Sequence, residues 1–283
     1  MKYITYRLGA YFRRMAVQIA GDPANPVLLC VHGLTRNSHD FDTLSAALAD
    51  QFYVVAPDLP GRGGSDWLES PAAYQPLNYC EALSHLLAWL DRPVLWLGTS
   101  LGGICGMLLA AAQGTPITRL VLNDVGPFIP AASLRRIGSY IQAPERFDGL
   151  AALEAYLRGS QRGFVPMSDA DWRHMAETSS RALPDGGLAM HYDPAIAAAF
   201  AGVEPQDVDL WPVYRAIRCP VMVIRGETSD LLTAELFAEM TGHGAAGRVV
   251  AGAGHAPSLN DPDSIEAIRE FLGDGSAAAL PVA

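Results

Sequence analysis

The sequence has few basic residues and no long apolar segment. Its 283 residues include 20 lysines and arginines against 30 aspartates and glutamates, a formal net charge of −10 at pH 7. Such a chain lacks the basic surface that binds nucleic acids or anionic membranes. A membrane-spanning helix needs about 18 or more consecutive apolar residues, and the sequence contains no such run. These absences exclude nucleic-acid binding and a membrane span from the expected functions.

Cysteine is scarce, and its four positions are scattered. Cys30, Cys105 and Cys219 lie in or beside apolar segments, where a free cysteine behaves as a small buried hydrophobe. No ligand spacing typical of a metal site is present, so no metal is expected. The first residues lack the continuous apolar region of a secretory signal. We therefore expect a cytoplasmic protein. Both a monomer and a homodimer are compatible with the sequence.

The most informative segment is Gly98-Thr99-Ser100-Leu101-Gly102. An apolar run precedes it and a run of small and apolar residues follows, which predicts a strand, a sharp turn and a helix. A turn this sharp strains its central residue and requires small neighbours, which Gly98 and Gly102 provide. The pattern therefore predicts Ser100 as a nucleophile. The alternative is a glycine-rich turn whose serine only caps the helix.

A serine nucleophile needs a histidine base and an acid that orients it. Asp230 follows the apolar segment 220–226, and His255 lies in a glycine-rich loop after segment 248–250. Open α/β sheets place catalytic residues in loops at the carboxyl ends of strands. The order Ser100, Asp230, His255 therefore predicts a catalytic triad.

Asp124 is the alternative acid, because it also ends a predicted strand, at residues 120–123. We favour Asp230, which follows the next strand along the chain. For Asp124 we expect hydrogen bonds to backbone near the start of the irregular middle segment.

An oxyanion hole is predicted from two backbone N–H groups. One belongs to Leu101, directly after the nucleophile, and the other to Leu34, in the loop that follows the apolar segment 27–31. His32 precedes this loop. We expect it to hydrogen-bond backbone and shape the loop rather than act as a base.

Arg36 follows the same loop and has two interpretations. It could bind a substrate carboxylate, or it could brace the loop through a carboxylate such as Asp40 or Asp58. We favour bracing.

Together these motifs resemble the α/β-hydrolase superfamily, of the lidded type that includes bacterial carboxylesterases and carbon–carbon bond hydrolases. The resemblance covers about residues 13–272. It implies an α/β fold with a mostly parallel, eight-stranded sheet flanked by helices and a helical lid inserted after the sixth strand. Relatives with an aspartate nucleophile, the dehalogenases and epoxide hydrolases, are disfavoured by Ser100. The matching segments are His32-Gly33, residues 58–65, residues 98–102, residues 226–230 and Gly254-His255.

Apolar runs and helical patterns alternate along the chain, as in a parallel sheet covered by helices. The predicted strands are residues 2–7, 13–20, 27–31, 52–56, 94–97, 119–123, 220–225 and 247–251. The predicted helices between them are residues 41–49, 79–90, 102–112, 233–240 and 264–272.

The alternation stops between Pro127 and Trp211, where prolines separate shorter helical pieces. Residues 1–126 and 212–273 are therefore predicted as the core, residues 127–211 as the lid and residues 274–283 as a frayed tail. Aromatic and methionine side chains of the lid are expected to supply apolar surface, with a few of them contacting substrate. The predicted lid helices are residues 133–141, 149–161, 169–182 and 194–201.

The expected function is hydrolysis of carboxylic esters with small to medium apolar acyl or alcohol groups, through an acyl-enzyme and without a cofactor. Carbon–carbon bond cleavage in a ring-fission dienone is the alternative within the fold. A non-catalytic binding protein on the same fold is the alternative from another class. Such proteins commonly lose a member of the triad, whereas this chain keeps a candidate for each.

Overall fold

The computed structural model describes residues 1–199 and 204–273, so the tail predicted at 274–283 lies outside the described residues. The strands are β1 (Lys2–Leu8), β2 (Tyr11–Ala20), β3 (Val27–Val31), β4 (Tyr53–Pro57), β5 (Val94–Thr99), β6 (Ile117–Asn123), β7 (Phe128–Ile129), β8 (Ser180–Ala182), β9 (Leu188–Met190), β10 (Val208–Asp209), β11 (Val221–Gly226) and β12 (Ala246–Val250). The helices are α1 (Asp42–Leu48), α2 (Pro76–Leu90), α3 (Leu101–Ala110), α4 (Ala131–Tyr140), α5 (Leu150–Ser160), α6 (Asp169–Thr178), α7 (Ala195–Ala198), α8 (Trp211–Ala216), α9 (Ala234–Gly242) and α10 (Pro262–Gly273), with short 3-10 turns at Ser38–Phe41 and Pro71–Ala73.

Eight of the strands form the central sheet, in the order β1-β2-β4-β3-β5-β6-β11-β12. β1 and β2 make an antiparallel hairpin, β2 pairs antiparallel with β4, and the remaining neighbours are parallel. Every residue of β3 and β4 is buried, because helices cover both faces of a parallel sheet. The predicted eight-stranded sheet is confirmed.

The two faces of the sheet bury separate hydrophobic clusters. Alternate residues of β3 point to opposite sides: Leu29 and Val31 pack with α2 and α3, whereas Leu28 and Cys30 pack with α1 and α10. The carboxyl edge of the sheet stays accessible between these layers. The loops after β3, β5, β6, β11 and β12 meet at that edge.

Residues 127–211, which we call the insertion, lie between β6 and β11 and contain α4 to α7. The predicted helix at 169–182 is too long, since α6 ends at Thr178 and a β8–β9 hairpin follows. The helix ends early because a hairpin turn forms at Pro184-Asp185-Gly186-Gly187, with Gly186 at φ +84°. The other three predicted helices agree with α4, α5 and α7 within a few residues over the described part of the chain.

Backbone hydrogen bonds join the insertion to the loop after β4. The Gly63 N–H donates to the His191 carbonyl at 2.9 Å, and the Asp193 N–H donates to the Gly61 carbonyl at 2.8 Å. Between them, Arg62 and Tyr192 form an isolated antiparallel bridge. This pairing attaches one side of the insertion to the core.

Burial is confirmed for Cys30 and Cys105, whereas the prediction that Cys219 is buried is wrong. Cys30, Cys80 and Cys105 are buried and free, and Cys219 is free and partly exposed. Along residues 1–199 and 204–273, every helix is too short or too polar to cross a bilayer.

Candidate active site

Ser100 lies at the sharp turn between β5 and α3. Its backbone has φ 51° and ψ −112°, a region that non-glycine residues rarely adopt. A Cβ on Gly98 would lie 2.3 Å from the backbone of Gly102, and a Cβ on Gly102 would lie 2.0 Å from the Val31 carbonyl oxygen. Both positions therefore require glycine, as the sequence pattern predicts for a turn that exposes a serine.

A continuous hydrogen-bonded path links Ser100 to a buried carboxylate. The Ser100 Oγ lies 3.0 Å from the His255 Nε2, and the His255 Nδ1 lies 2.8 Å from the Asp124 Oδ2. Asp124 accepts the Nδ1–H, which leaves the Nε2 lone pair directed at the Ser100 hydroxyl. The His255 side chain is 9% exposed and that of Asp124 is fully buried.

Asp124 is held by further hydrogen bonds at the end of β6. Its Oδ1 accepts the Gly226 N–H at 2.8 Å, its Oδ2 accepts the Ser229 hydroxyl at 2.6 Å, and its own N–H donates to the Ile224 carbonyl at 2.8 Å. These bonds satisfy a buried carboxylate and hold it in one orientation. Ser229 was not identified from the sequence, because no motif marks it.

The structure contradicts the prediction that Asp230 orients His255. The Asp230 carboxylate is half-exposed and pairs with the Arg136 guanidinium at 2.5 and 2.7 Å. β11 ends at Gly226, and the turn that follows brings Ser229 rather than Asp230 toward the candidate site. β6 also lies between β5 and β11 in the sheet, so the end of β6 is nearer to Ser100. The useful signal in the sequence is that Asp124 directly follows its strand.

The two predicted oxyanion donors lie beside Ser100. Leu101 is the first residue of α3, where N–H groups lack acceptors within the helix. Leu34 and Leu101 both border the cavity that contains Ser100. A Cβ on Gly33 would come within 3.8 Å of the Ser100 Cβ, so the loop backbone passes close to the candidate nucleophile.

His32 is fully buried and shapes the loop, as expected. Its Nε2 accepts the Leu59 N–H at 2.9 Å, so its Nδ1 carries the proton and donates to the Gly33 carbonyl at 2.7 Å. Burial lowers the pKa of His32 to about 3, which keeps the ring neutral. The Gly33 carbonyl and the Leu34 N–H share one peptide plane, so the neutral imidazole also sets the direction of that N–H.

Arg36 braces the loop through Asp40, which is one of the two carboxylates considered from the sequence. Its guanidinium contacts the Asp40 carboxylate at 2.5 Å and donates to the Ser179 hydroxyl at 3.0 Å, and both charged side chains are buried. Asp58 instead accepts the Ser38 and Gly64 N–H groups, each at 2.8 Å. Arg36 thereby connects the loop to the insertion.

A cavity of about 650 Å³ opens onto Ser100 and His255. Its walls are mainly apolar and come from both the core and the insertion. Among the described aromatic and methionine residues of the insertion, only Phe164 borders it, so aliphatic side chains replace most of the aromatic contacts that were expected. The apolar lining residues from the insertion are Ile129, Leu134, Ile137, Phe164, Ala199, Val208 and Leu210.

The chain belongs to the alpha/beta hydrolase family, whose model matches residues 28–268. A 3-hydroxybutyrate-oligomer hydrolase from Cupriavidus necator is 39% identical over 93% of this chain and 94% of its own. A 2-(acetamidomethylene)succinate hydrolase from Mesorhizobium japonicum is 30% identical over 80% of this chain and 79% of its own. A crystal structure of an alpha/beta hydrolase from Novosphingobium aromaticivorans has a TM-score of 0.85 and 37% identity, covering 96% of this chain and 97% of that chain. The protein is therefore a hydrolase.

Proposed function

We propose that this hydrolase cleaves carboxylic esters through an acyl-enzyme formed on Ser100. The observation that carries the proposal is the path of 2.8 and 3.0 Å contacts from Asp124 through His255 to Ser100 at the wall of an apolar cavity. A buried acid, an oriented imidazole and a strained serine are the groups that acyl transfer needs.

In the first step, the Ser100 oxygen attacks the ester carbonyl carbon while the His255 Nε2 takes the hydroxyl proton. Asp124 stabilises the imidazolium that forms. The Leu34 and Leu101 N–H groups hold the negative oxygen of the tetrahedral intermediate, a contribution of about 3 kcal/mol for each donor.

The imidazolium of His255 then gives its proton to the leaving alcohol, and the acyl group stays on the Ser100 oxygen. In the second step, His255 takes a proton from water as that water attacks the acyl carbon. The bond between the acyl carbon and the Ser100 oxygen then breaks, His255 returns the proton to that oxygen, and the acid product leaves. The side chains of Ser100, His255 and Asp124, the ester and one water molecule account for each proton transfer in this cycle.

The cavity supports substrates of small to medium size. Its volume of about 650 Å³ falls within the range of roughly 300–1,000 Å³ of small-molecule sites. Apolar walls favour acyl or alcohol groups without charge near the reacting bond. We put oligomers of a short hydroxy acid, which are chains of esters, first among the substrate classes to test, because the Cupriavidus relative is named a 3-hydroxybutyrate-oligomer hydrolase.

A fluorophosphonate probe tests the nucleophile, and a substrate panel tests the bond that is cleaved. The panel contains p-nitrophenyl esters of increasing acyl length, 3-hydroxybutyrate oligomers and a ring-fission dienone. We expect labelling of the wild type but not of Ser100→Ala, with esters turned over faster than the dienone. Faster dienone turnover would favour carbon–carbon cleavage. A folded protein with neither labelling nor turnover would indicate a binding protein.

A further inference from the structure

Two histidines share one carboxylate where the insertion meets the core. The His39 Nδ1 and the His174 Nε2 each lie 2.8 Å from the Asp42 Oδ2. The loop that contains Gly33 and Leu34 is called the oxyanion loop below. His39 belongs to the 3-10 turn after this loop, Asp42 begins α1, and His174 lies on α6. The three ligand atoms lie within 4.8 Å of one another. We call these residues the His-Asp-His cluster.

Two imidazole nitrogens and one carboxylate oxygen are a ligand set that zinc uses, with water in the fourth position. In a tetrahedral zinc site the ligand atoms are about 3.3 Å apart. The carboxylate oxygen already lies near that distance from both nitrogens. The side chains of His39, Asp42 and His174 are 31%, 34% and 49% exposed, so the rings can rotate to close the remaining gap.

The surroundings of the cluster suit a small cation. A cavity of about 30 Å³ borders His39 and His174 but not Asp42, and it has room for a single water-sized species beside the two rings. Asp40 and Asp171 also border this cavity. Asp40 is paired with Arg36, and Asp171 accepts hydrogen bonds from Ser168 at 2.7 Å.

We propose that the His-Asp-His cluster binds a divalent transition-metal ion, with zinc as the reference ion, and that the ion links α6 to the turn after the oxyanion loop. Hydrogen bonds already connect the same parts, since the Asn37 amide donates to the Thr178 carbonyl at 2.9 Å. The ion adds a stronger link at this junction. Spacing along the sequence does not reveal the site, because His174 is 132 residues from Asp42.

Protons compete with the metal for this site. His174 shares the Asp42 oxygen and faces His39 from α6. Since a metal binds only the unprotonated ring, zinc affinity falls as the pH is lowered from 8 to 6.

Zinc affinity is measured by competition with a chromogenic zinc indicator at pH 8 and pH 6. The variants are His39→Ala, His174→Ala and His255→Ala, and His85→Ala is the matched control, an exposed histidine on α2. We expect the wild type, His85→Ala and His255→Ala to bind zinc equally. Loss of one of three ligands in His39→Ala or His174→Ala should weaken binding by more than about tenfold.

Two further measurements separate the ligand role from a folding defect. Thermal melting without metal shows whether each variant folds, and zinc should raise the melting temperature of the wild type but not of His174→Ala. Cobalt should give the visible absorption of a tetrahedral site in the wild type, His85→Ala and His255→Ala, but not in His39→Ala or His174→Ala. Equal zinc affinity in wild type and His174→Ala would overturn the proposal. Loss of binding in His255→Ala, with binding kept in His39→Ala and His174→Ala, would also overturn it, because the zinc would then bind at His255.

Discussion

The core edge and the insertion hold their side chains in different ways. At the core edge, Asp124 is fully buried and accepts hydrogen bonds from backbone and from Ser229 as well as from His255. Most of the buried apolar side chains of the insertion belong to the same cluster as one face of the sheet, but several of its surface contacts are exposed ion pairs. Examples of these pairs are Arg135–Glu204, Arg136–Asp230 and Arg146–Asp185.

From this difference we expect the core edge to determine the rate of the chemical step and the insertion to determine which substrates bind. Exposed ion pairs contribute only about 0–1 kcal/mol each, so the side of the insertion that Arg136 and Asp230 join to the core can shift at smaller cost than the side paired with residues 61–63. The groups proposed to make and break bonds lie on strand ends that the sheet holds in place. Changes in the insertion should therefore alter which substrates enter, whereas changes at the core edge should alter the rate of the chemical step.

The largest expected effect is from Ser100→Ala. Removing the nucleophile should lower kcat for ester hydrolysis to the level that the oxyanion hole and binding alone provide, a residual of about 10³-fold over water. The sharp turn at Ser100 should stay folded, since it already accommodates small residues. Steady-state kinetics and a melting curve check this. Near wild-type turnover in folded Ser100→Ala would remove this serine from the mechanism.

The next effect distinguishes the two aspartates. Asp124→Asn should lower kcat by about 10⁴-fold, because an amide favours the wrong histidine tautomer. Asp230→Asn loses only an exposed ion pair and should change kcat by less than about fivefold.

Both aspartate variants are compared by kcat on one ester, with melting temperatures as the folding control. If the larger loss in kcat follows Asp230→Asn, the role given to Asp124 is wrong.

A smaller effect concerns His32 and acid stability. Its pKa in the folded protein is about 3, below the ordinary value, so the unfolded chain takes up a proton near pH 6.5 while the folded protein does not. The stability this contributes is complete above pH 6.5 and is lost as the pH falls. The loss is on the order of 3 kcal/mol by pH 4.5.

Urea unfolding at several pH values between 7 and 4.5 measures that loss, with His32→Gln as the comparison. The variant keeps the carboxylates but lacks this titration, so its stability should fall less steeply. Parallel curves for the two proteins would contradict the assignment.

The smallest expected effect, per change, is that of acyl chain length. Each methylene buried in the apolar cavity should contribute about 0.8 kcal/mol, or roughly fourfold in kcat/KM. We expect kcat/KM to rise over the first few carbons and then fall as the cavity fills. Leu134→Ala, in the insertion, should shift the optimum to longer chains. A flat response from acetate to long-chain esters would mean that the insertion does not enclose the acyl group.

The strands and core helices could be predicted because local pattern and burial agree along them. β3 is apolar throughout, and Gly98 and Gly102 are positions where backbone contact excludes any side chain. The β8–β9 hairpin was missed because the apolar pattern of α6 continues past Thr178, while the turn at Gly186 determines the real boundary.

The identity of the acid could not be decided from order alone. Asp124 and Asp230 both follow strands that end at the same edge. The choice depends on how many positions past the end of its strand each aspartate lies, which is one for Asp124 and four for Asp230. The His-Asp-His cluster was missed for a related reason, since it forms only when α6 folds back onto α1.

The pairing of residues 61–63 with residues 191–193 gives the insertion a fixed side. Two backbone hydrogen bonds join these segments, whereas Arg136 of α4 pairs with Asp230 at the exposed surface. An exposed ion pair costs less to separate than backbone hydrogen bonds, so we expect any opening movement of the insertion to begin on the α4 side. Substrate would then enter from that side.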